Sequence, residues 1–85
     1  MRFVMQVQVD CSPFIKMSFR QSKESKDLGL YMSSRCISVG KKSQTHELTY
    51  IADIPILDKI IEDIITNFDE APHILDVEVI EYREE

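Results

Sequence analysis

The chain has 85 residues, of which 44% are apolar and 29% are charged, with only two Gly and three Pro. This composition excludes a collagen-like, low-complexity or strongly disordered chain, because enough apolar surface is present to offset the entropy of ordering. No apolar run approaches the roughly 20 residues that a membrane-spanning helix needs. We therefore expect a soluble, cytoplasmic α+β protein in which residues 1–85 form a single domain.

The length also limits the kind of function. A chain of this size buries only about 60–65% of its unfolded surface, which leaves a small core. A closed ligand pocket of roughly 300–1,000 Å³ would consume most of that core. An enzyme with an enclosed site is therefore disfavoured, and binding through the surface or self-association is favoured.

Charge is distributed unevenly along the chain. Residues 1–46 carry eight Lys and Arg against three Asp and Glu, a net charge of +5, whereas residues 47–85 carry two against twelve, a net charge of −10. One interpretation is that strands of the two halves pair, so that opposite charges meet across a sheet. The other is that one half presents an acidic face to a basic partner, or a basic face to an anion.

Two alternating segments open the chain. Arg2–Val9 alternates apolar residues with Gln6 and Gln8, which predicts a half-buried strand and not a signal peptide. Asp10–Pro13 has turn chemistry. Phe14–Arg20 alternates again, so the two segments together predict a β-hairpin with one apolar face.

The next segments predict a loop and a second pair of strands. Gln21–Gly29 has almost no apolar residues and is typical of an exposed, mobile loop. Leu30–Val39 has strand composition, but its apolar residues change parity along the segment, which indicates a bulge or a late start near Ser33. A turn at Gly40–Ser43 leads into a fourth strand over Thr45–Ala52.

The clearest pattern is that of an amphipathic helix. Asp53 is a good N-cap, Pro55 is tolerated in a first turn, and the helix is expected to end near Phe68. Its apolar residues recur at the spacing of one helical face: Leu57, Ile60, Ile61, Ile64, Ile65 and Phe68. The opposite arc is polar: Asp58, Lys59, Glu62, Asp63 and Thr66.

A final strand is predicted over Ile74–Tyr82. Alternation places Leu75, Val77 and Val79 inward and Asp76 and Glu78 outward, with Ile74, Ile80 and Tyr82 on the wet face. The predicted order is β-β-β-β-α-β. The fold class is a small two-layer α+β domain, an antiparallel sheet of four to five strands with one amphipathic helix on one face.

The residues that could ligate a metal or act in catalysis match no known spacing pattern. Four side chains could ligate a metal, namely Cys11, Cys36, His46 and His73, but their separations of 25, 10 and 27 residues match no paired zinc spacing. Free thiols are favoured over a Cys11–Cys36 disulfide, which stays an alternative. Cys36 and His46 are expected to face each other across a hairpin, yet any pair flanking that turn would do so. We predict no catalytic residue, metal or cofactor.

The function predicted from the sequence is therefore binding. The first hypothesis is a non-enzymatic protein-interaction module whose acidic face contacts a basic partner protein, in its sharpest form an inhibitor that occupies a nucleic-acid-binding surface. That face comprises Asp58, Glu62, Asp63, Asp69 and Glu70.

Two alternatives remain. One is binding of nucleic acid or another anion by basic hairpins, although the pI of about 4.9 argues against it. The residues concerned are Lys16, Arg20, Lys23, Lys26, Lys41 and Lys42. The other is a structural subunit that oligomerises through an edge strand of its sheet, and a homodimer is expected.

Overall fold

The computed structural model describes residues 1–53 and 58–83. Its elements in chain order are β1 (Arg2–Asp10), α1 (Lys23–Asp27), β2 (Tyr31–Val39), β3 (Ser43–Ile51), α2 (Asp58–Asp69) and β4 (Ile74–Arg83). The four strands form one antiparallel sheet in the order β2-β3-β1-β4. The predicted α+β class, with an antiparallel sheet and an amphipathic helix, is confirmed.

The core lies on one face of the two central strands, called here the inner face. Its largest fully buried side chains are Phe3, Met5, Val7, Val9 and Leu48. Directly paired residues of antiparallel strands share a face, so the register between β1 and β3 joins two alternating patterns into one apolar surface.

Helix α2 covers part of this surface with one half-buried apolar stripe. The residues that pack against the core are Ile60, Ile61, Ile64, Ile65 and Phe68. None of the residues of α2 is fully buried, which leaves its polar arc facing outward. The predicted first turn, with Pro55 and Leu57, lies outside the described residues, as does any cap that Asp53 provides to it.

The predicted strand over Phe14–Arg20 is wrong, because the segment begins in a turn, closed by a hydrogen bond from the Ile15 N–H to the Ser12 carbonyl at 3.2 Å, and joins no sheet. Both edges of β1 are already paired, with β3 and β4, so no hairpin partner can be added there. The segment instead lies against the inner face, where Met17 and Phe19 pack on the core. Phe14 is 94% exposed. The alternation of apolar residues reflects one side of the segment facing the core.

The predicted mobile loop over Gln21–Gly29 contains the short helix α1. Ser22 caps it, since its Oγ accepts a hydrogen bond from the Ser25 backbone N–H at 3.2 Å. Ser25 is buried, and Gly29 ends the segment with a φ of 83°, which favours glycine. The segment is therefore helical in part and has one buried side, although its composition is polar.

A bulge in β2 resolves the parity conflict of the predicted third strand. The register with β3 shifts between Cys36 and Ser38 and leaves Ile37 unpaired. The strand begins at Tyr31 and not near Ser33. The bulge alternative is therefore confirmed.

Two register shifts in β4 change the faces predicted for the last strand. The pairing with β1 leaves out Leu75 and Ile80. Ile74 and Tyr82 consequently lie opposite inward residues of β1, and their placement on the wet face is wrong. Leu75, expected inward, is 56% exposed.

The outer face of the sheet carries ion pairs between the two halves of the chain. Arg35 lies opposite Glu47, and their charged groups are 3.2 Å apart. Arg2 contacts Glu81 at 3.3 Å, and Arg83 contacts the same carboxylate. Opposite charges thus meet across the sheet, as the first interpretation of the charge distribution expects.

Candidate functional site

The five acidic residues of the predicted binding face are all exposed along α2 and just beyond it. With about 100° and 1.5 Å per residue, Asp58, Glu62 and Asp69 fall within roughly 40° of one another and form a row about 16 Å long. Asp63 and Glu70 form a second row on the same arc, which Lys59 and Thr66 separate from the first. We call these two rows the acidic surface.

The acidic surface is not neutralised by the fold. Within the described part of the chain, none of its five carboxylates takes part in an ion pair. The last turn of α2 has no basic residue, and Asp69 lies at the end where the helix dipole is negative. A carboxylate there opposes the dipole by about 0.3–1 kcal/mol. Helix stability therefore does not account for Asp69.

The six predicted anion-binding cations are exposed, but they lie in two groups. Lys41 and Lys42 form the β2–β3 turn, and Lys16 lies at the same end because Gln44 holds the neighbouring Ile15 carbonyl at 2.9 Å. The other three flank or belong to α1, beside the start of β2, and are Arg20, Lys23 and Lys26. The nine residues of β2 separate the groups by roughly 26 Å.

The candidate thiol and imidazole groups do not form a reactive pair. Cys36 lies opposite His46 in the register, as predicted. Its Sγ is directed at the Ser38 carbonyl 3.6 Å away, however, and the imidazole Nε2 is hydrogen-bonded to the Gln44 side chain. Cys11 and Cys36 are both free. In residues 1–53 and 58–83, no three His, Cys, Asp or Glu side chains gather as a metal site.

A buried polar pair on β3 anchors the segment that follows β1. Gln44 and His46 are 4% and 3% exposed. The Gln44 amide donates to the carbonyls of Ser12 and Ile15 at 2.8 and 2.9 Å, and its oxygen lies 2.9 Å from His46 Nε2. Burial lowers the pKa of His46 below its ordinary value of 6.5. The neutral Nε2–H form of the imidazole completes this network.

A cleft of about 230 Å³ lies between α1, α2 and the inner face of β3. Residues from three parts of the chain line it: Arg20, Ser22, Ser25, Tyr50, Ile64, Asn67, Phe68 and Ala71. Sequence reasoning assigned Arg20 to an anion-binding set but did not connect it with Tyr50 or Asn67. The available signal was the alternation within β3, which places Tyr50 on the same face as Leu48.

Neither described helix has the length and apolar content to cross a membrane. No protein-family model, curated protein or solved structure matches this chain, so its functional interpretation rests on its own residues and geometry.

Proposed function

We propose that the chain is a non-enzymatic protein-interaction module that presents the acidic surface of α2 to a basic partner protein. The observation that carries this proposal is a row of exposed carboxylates that no described cation neutralises and that continues to the helix end where it opposes the dipole. A carboxylate that destabilises its own helix is expected where it makes a favourable electrostatic contact with a partner.

The partner chemistry follows from the rigid spacing of the carboxylates. Asp58 and Glu62 are separated by one helical turn, about 6 Å along the axis. A groove of Arg and Lys side chains that binds phosphates accepts carboxylates through the same charge-assisted hydrogen bonds. The sharpest form of the proposal is therefore an inhibitor that occupies the nucleic-acid-binding surface of its partner.

The test is affinity capture from the native host with a charge-reversed variant. Glu62→Lys combined with Asp63→Lys reverses the centre of the acidic surface at two exposed positions, so the fold is retained. We expect this double variant to lose the partner that the unmodified chain captures.

The matched control makes the same change of net charge on another surface. Asp76 and Glu78 are exposed on the outer face of β4, away from α2. Asp76→Lys with Glu78→Lys should retain the partner. Retention by the α2 variant, or equal loss by both variants, would show that the acidic surface does not determine binding.

Self-association through the sheet edges is the second candidate, and the topology favours it. The sheet of the described residues ends in β2 and β4, which run in opposite directions. A second copy in the same orientation can therefore place its β2 antiparallel to β4 of the first. Arg35 on β2 would then meet the acidic β4, whereas pairing β4 with itself would bring like charges together.

A further inference from the structure

Tyr50 has an unusual position among the residues that line the cleft. It is 4% exposed, and its ring packs 5.9 Å from that of Phe3. Its hydroxyl makes no hydrogen bond with any described residue. The described part of the chain has no buried side-chain polar atom that is both sealed from solvent and unpartnered. The Tyr50 hydroxyl therefore opens into the cleft.

The Tyr50 hydroxyl, which no described side chain or backbone group engages, can donate a hydrogen bond to a ligand in the cleft. Desolvation raises the pKa of Tyr50 to about 12, so the hydroxyl keeps its proton at neutral pH. Water solvates the hydroxyl where it reaches the cleft in the free protein, so a ligand that displaces this water must accept the same hydrogen bond.

The other polar groups of the cleft select an anion. Arg20 lines the cleft and takes part in no ion pair with a described residue, and the amide of Asn67 is likewise uncommitted there. The hydroxyls of Ser22 and Ser25 are occupied by the turn of α1. One guanidinium and one phenol that line the same cleft match a single carboxylate, whose two oxygens can accept one hydrogen bond from each.

The opposite wall of the cleft is apolar and limits the size of the ligand. Ile64, Phe68 and Ala71 are half-buried and present their remaining surface to it. A volume of about 230 Å³ holds roughly eight non-hydrogen atoms, if each takes about the 30 Å³ of a water molecule, so a ligand of about ten such atoms fits with its edge at the open mouth of the cleft. The cleft is thus smaller than a site for a nucleotide.

We propose that this cleft binds a small carboxylate with a compact apolar body, whose carboxylate accepts hydrogen bonds from Tyr50 and Arg20 and whose body packs on Ile64 and Phe68. This site is separate from the acidic surface, and its ligand class is a small organic acid.

Phenylacetate, with ten non-hydrogen atoms, is the probe, and backbone amide chemical shifts of the full chain are the readout. Titration to about 20 mM should give saturable shifts at Ser22, Ser25, Asn67 and Ala71, with a dissociation constant of the order of 1 mM. Phenylacetamide, the neutral isostere, should bind at least about fivefold more weakly.

Tyr50→Phe and Arg20→Gln should each raise the dissociation constant for phenylacetate at least about fivefold. The matched controls are Tyr31→Phe and Arg35→Gln, which change the same residue types on the outer face and should leave binding unchanged. Absence of saturable shifts, or unchanged affinity in Tyr50→Phe, would overturn the proposal.

Stability of the free protein provides a second measurement. Because the Tyr50 hydroxyl has no partner among residues 1–53 and 58–83, Tyr50→Phe should be at least as resistant to urea as the unmodified chain. A marked loss of resistance would show that the hydroxyl bonds within the protein and would overturn the proposal. Arg20 is exposed, so Arg20→Gln keeps the test of binding independent of folding.

Discussion

Gln44 is the residue whose replacement tests the packing of the segment over Phe14–Arg20 most directly. Its amide makes three hydrogen bonds, two of which hold the carbonyls of Ser12 and Ile15. Each bond contributes about 1 kcal/mol, and the two carbonyls belong to exposed residues that water can solvate after the amide is lost. The third bond is to the buried His46 imidazole, which water does not reach, so we expect Gln44→Ala to lower the free energy of unfolding by about 3 kcal/mol.

This loss is a large share of the stability of an 85-residue domain, for which about 4–13 kcal/mol is usual. Urea denaturation measures it, and the melting temperature should fall by about 15 °C. Hydrogen exchange locates the effect, because Phe14–Arg20 should lose what protection it has while β1 stays protected.

Gln6→Ala is the matched control for this experiment. Gln6 lies on the outer face of β1, and its side chain makes no hydrogen bond with a described residue. Its replacement should change the free energy of unfolding by less than about 0.5 kcal/mol. Equal effects of the two variants would refute the anchoring role of Gln44, and so would exchange protection of Phe14–Arg20 typical of a strand.

Two further predictions concern pH and assembly. The free energy of unfolding should be level near pH 7.5 and decline below about pH 6.5, because the lowered pKa of buried His46 makes the unfolded chain take up more protons there. His46→Phe should remove this part of the decline, and an unchanged decline in urea titrations would contradict the assignment. Light scattering at about 0.5 mM should give a molar mass above the 9.9 kDa of one chain, and Arg35→Glu should lower it. A constant 9.9 kDa at every concentration would exclude pairing of the sheet edges.

Helix α2 shows which parts of the fold were predictable from the sequence. Its apolar residues repeat with one helical period, and no other arrangement buries them together. The helix ends at Asp69, one residue beyond the predicted Phe68. The exposure of Glu62 and Asp63 followed from the same geometry, because residues opposite a buried stripe face water. The acidic surface was therefore predictable in position, although its partner was not.

The segment over Phe14–Arg20 shows where local pattern fails. A period of two indicates an extended chain with one buried side, and that side can face another strand or lie on the surface of a sheet. The choice depends on whether an edge of β1 is open, and β4, more than fifty residues later, takes that edge. Such non-local competition is absent from a window of seven residues.

Bulges explain the remaining errors in β4. An unpaired residue reverses the facing of every residue beyond it, so Leu75 alone moved Ile74 to the inner face. Over Ile74–Tyr82 apolar residues occupy both odd and even positions, so alternation alone does not show where the register shifts. The cleft was unpredictable for a related reason, since Arg20, Tyr50 and Asn67 meet only after the sheet order is set.

The two proposed binding regions share α2 but use opposite arcs of it. Ile64 and Phe68 line the cleft, whereas Glu62 lies about 200° around the helix axis from Ile64. Reversal of charge on the outward arc therefore leaves the apolar wall intact, and screening at physiological ionic strength weakens its field beyond about 8 Å. Loss of phenylacetate binding in the α2 double variant would then require a change in the position of the helix itself. If partner capture and ligand binding do affect each other, α2 must move as a unit on the sheet. The apolar residues of α2 are only half-buried against the core, and this packing would permit such movement.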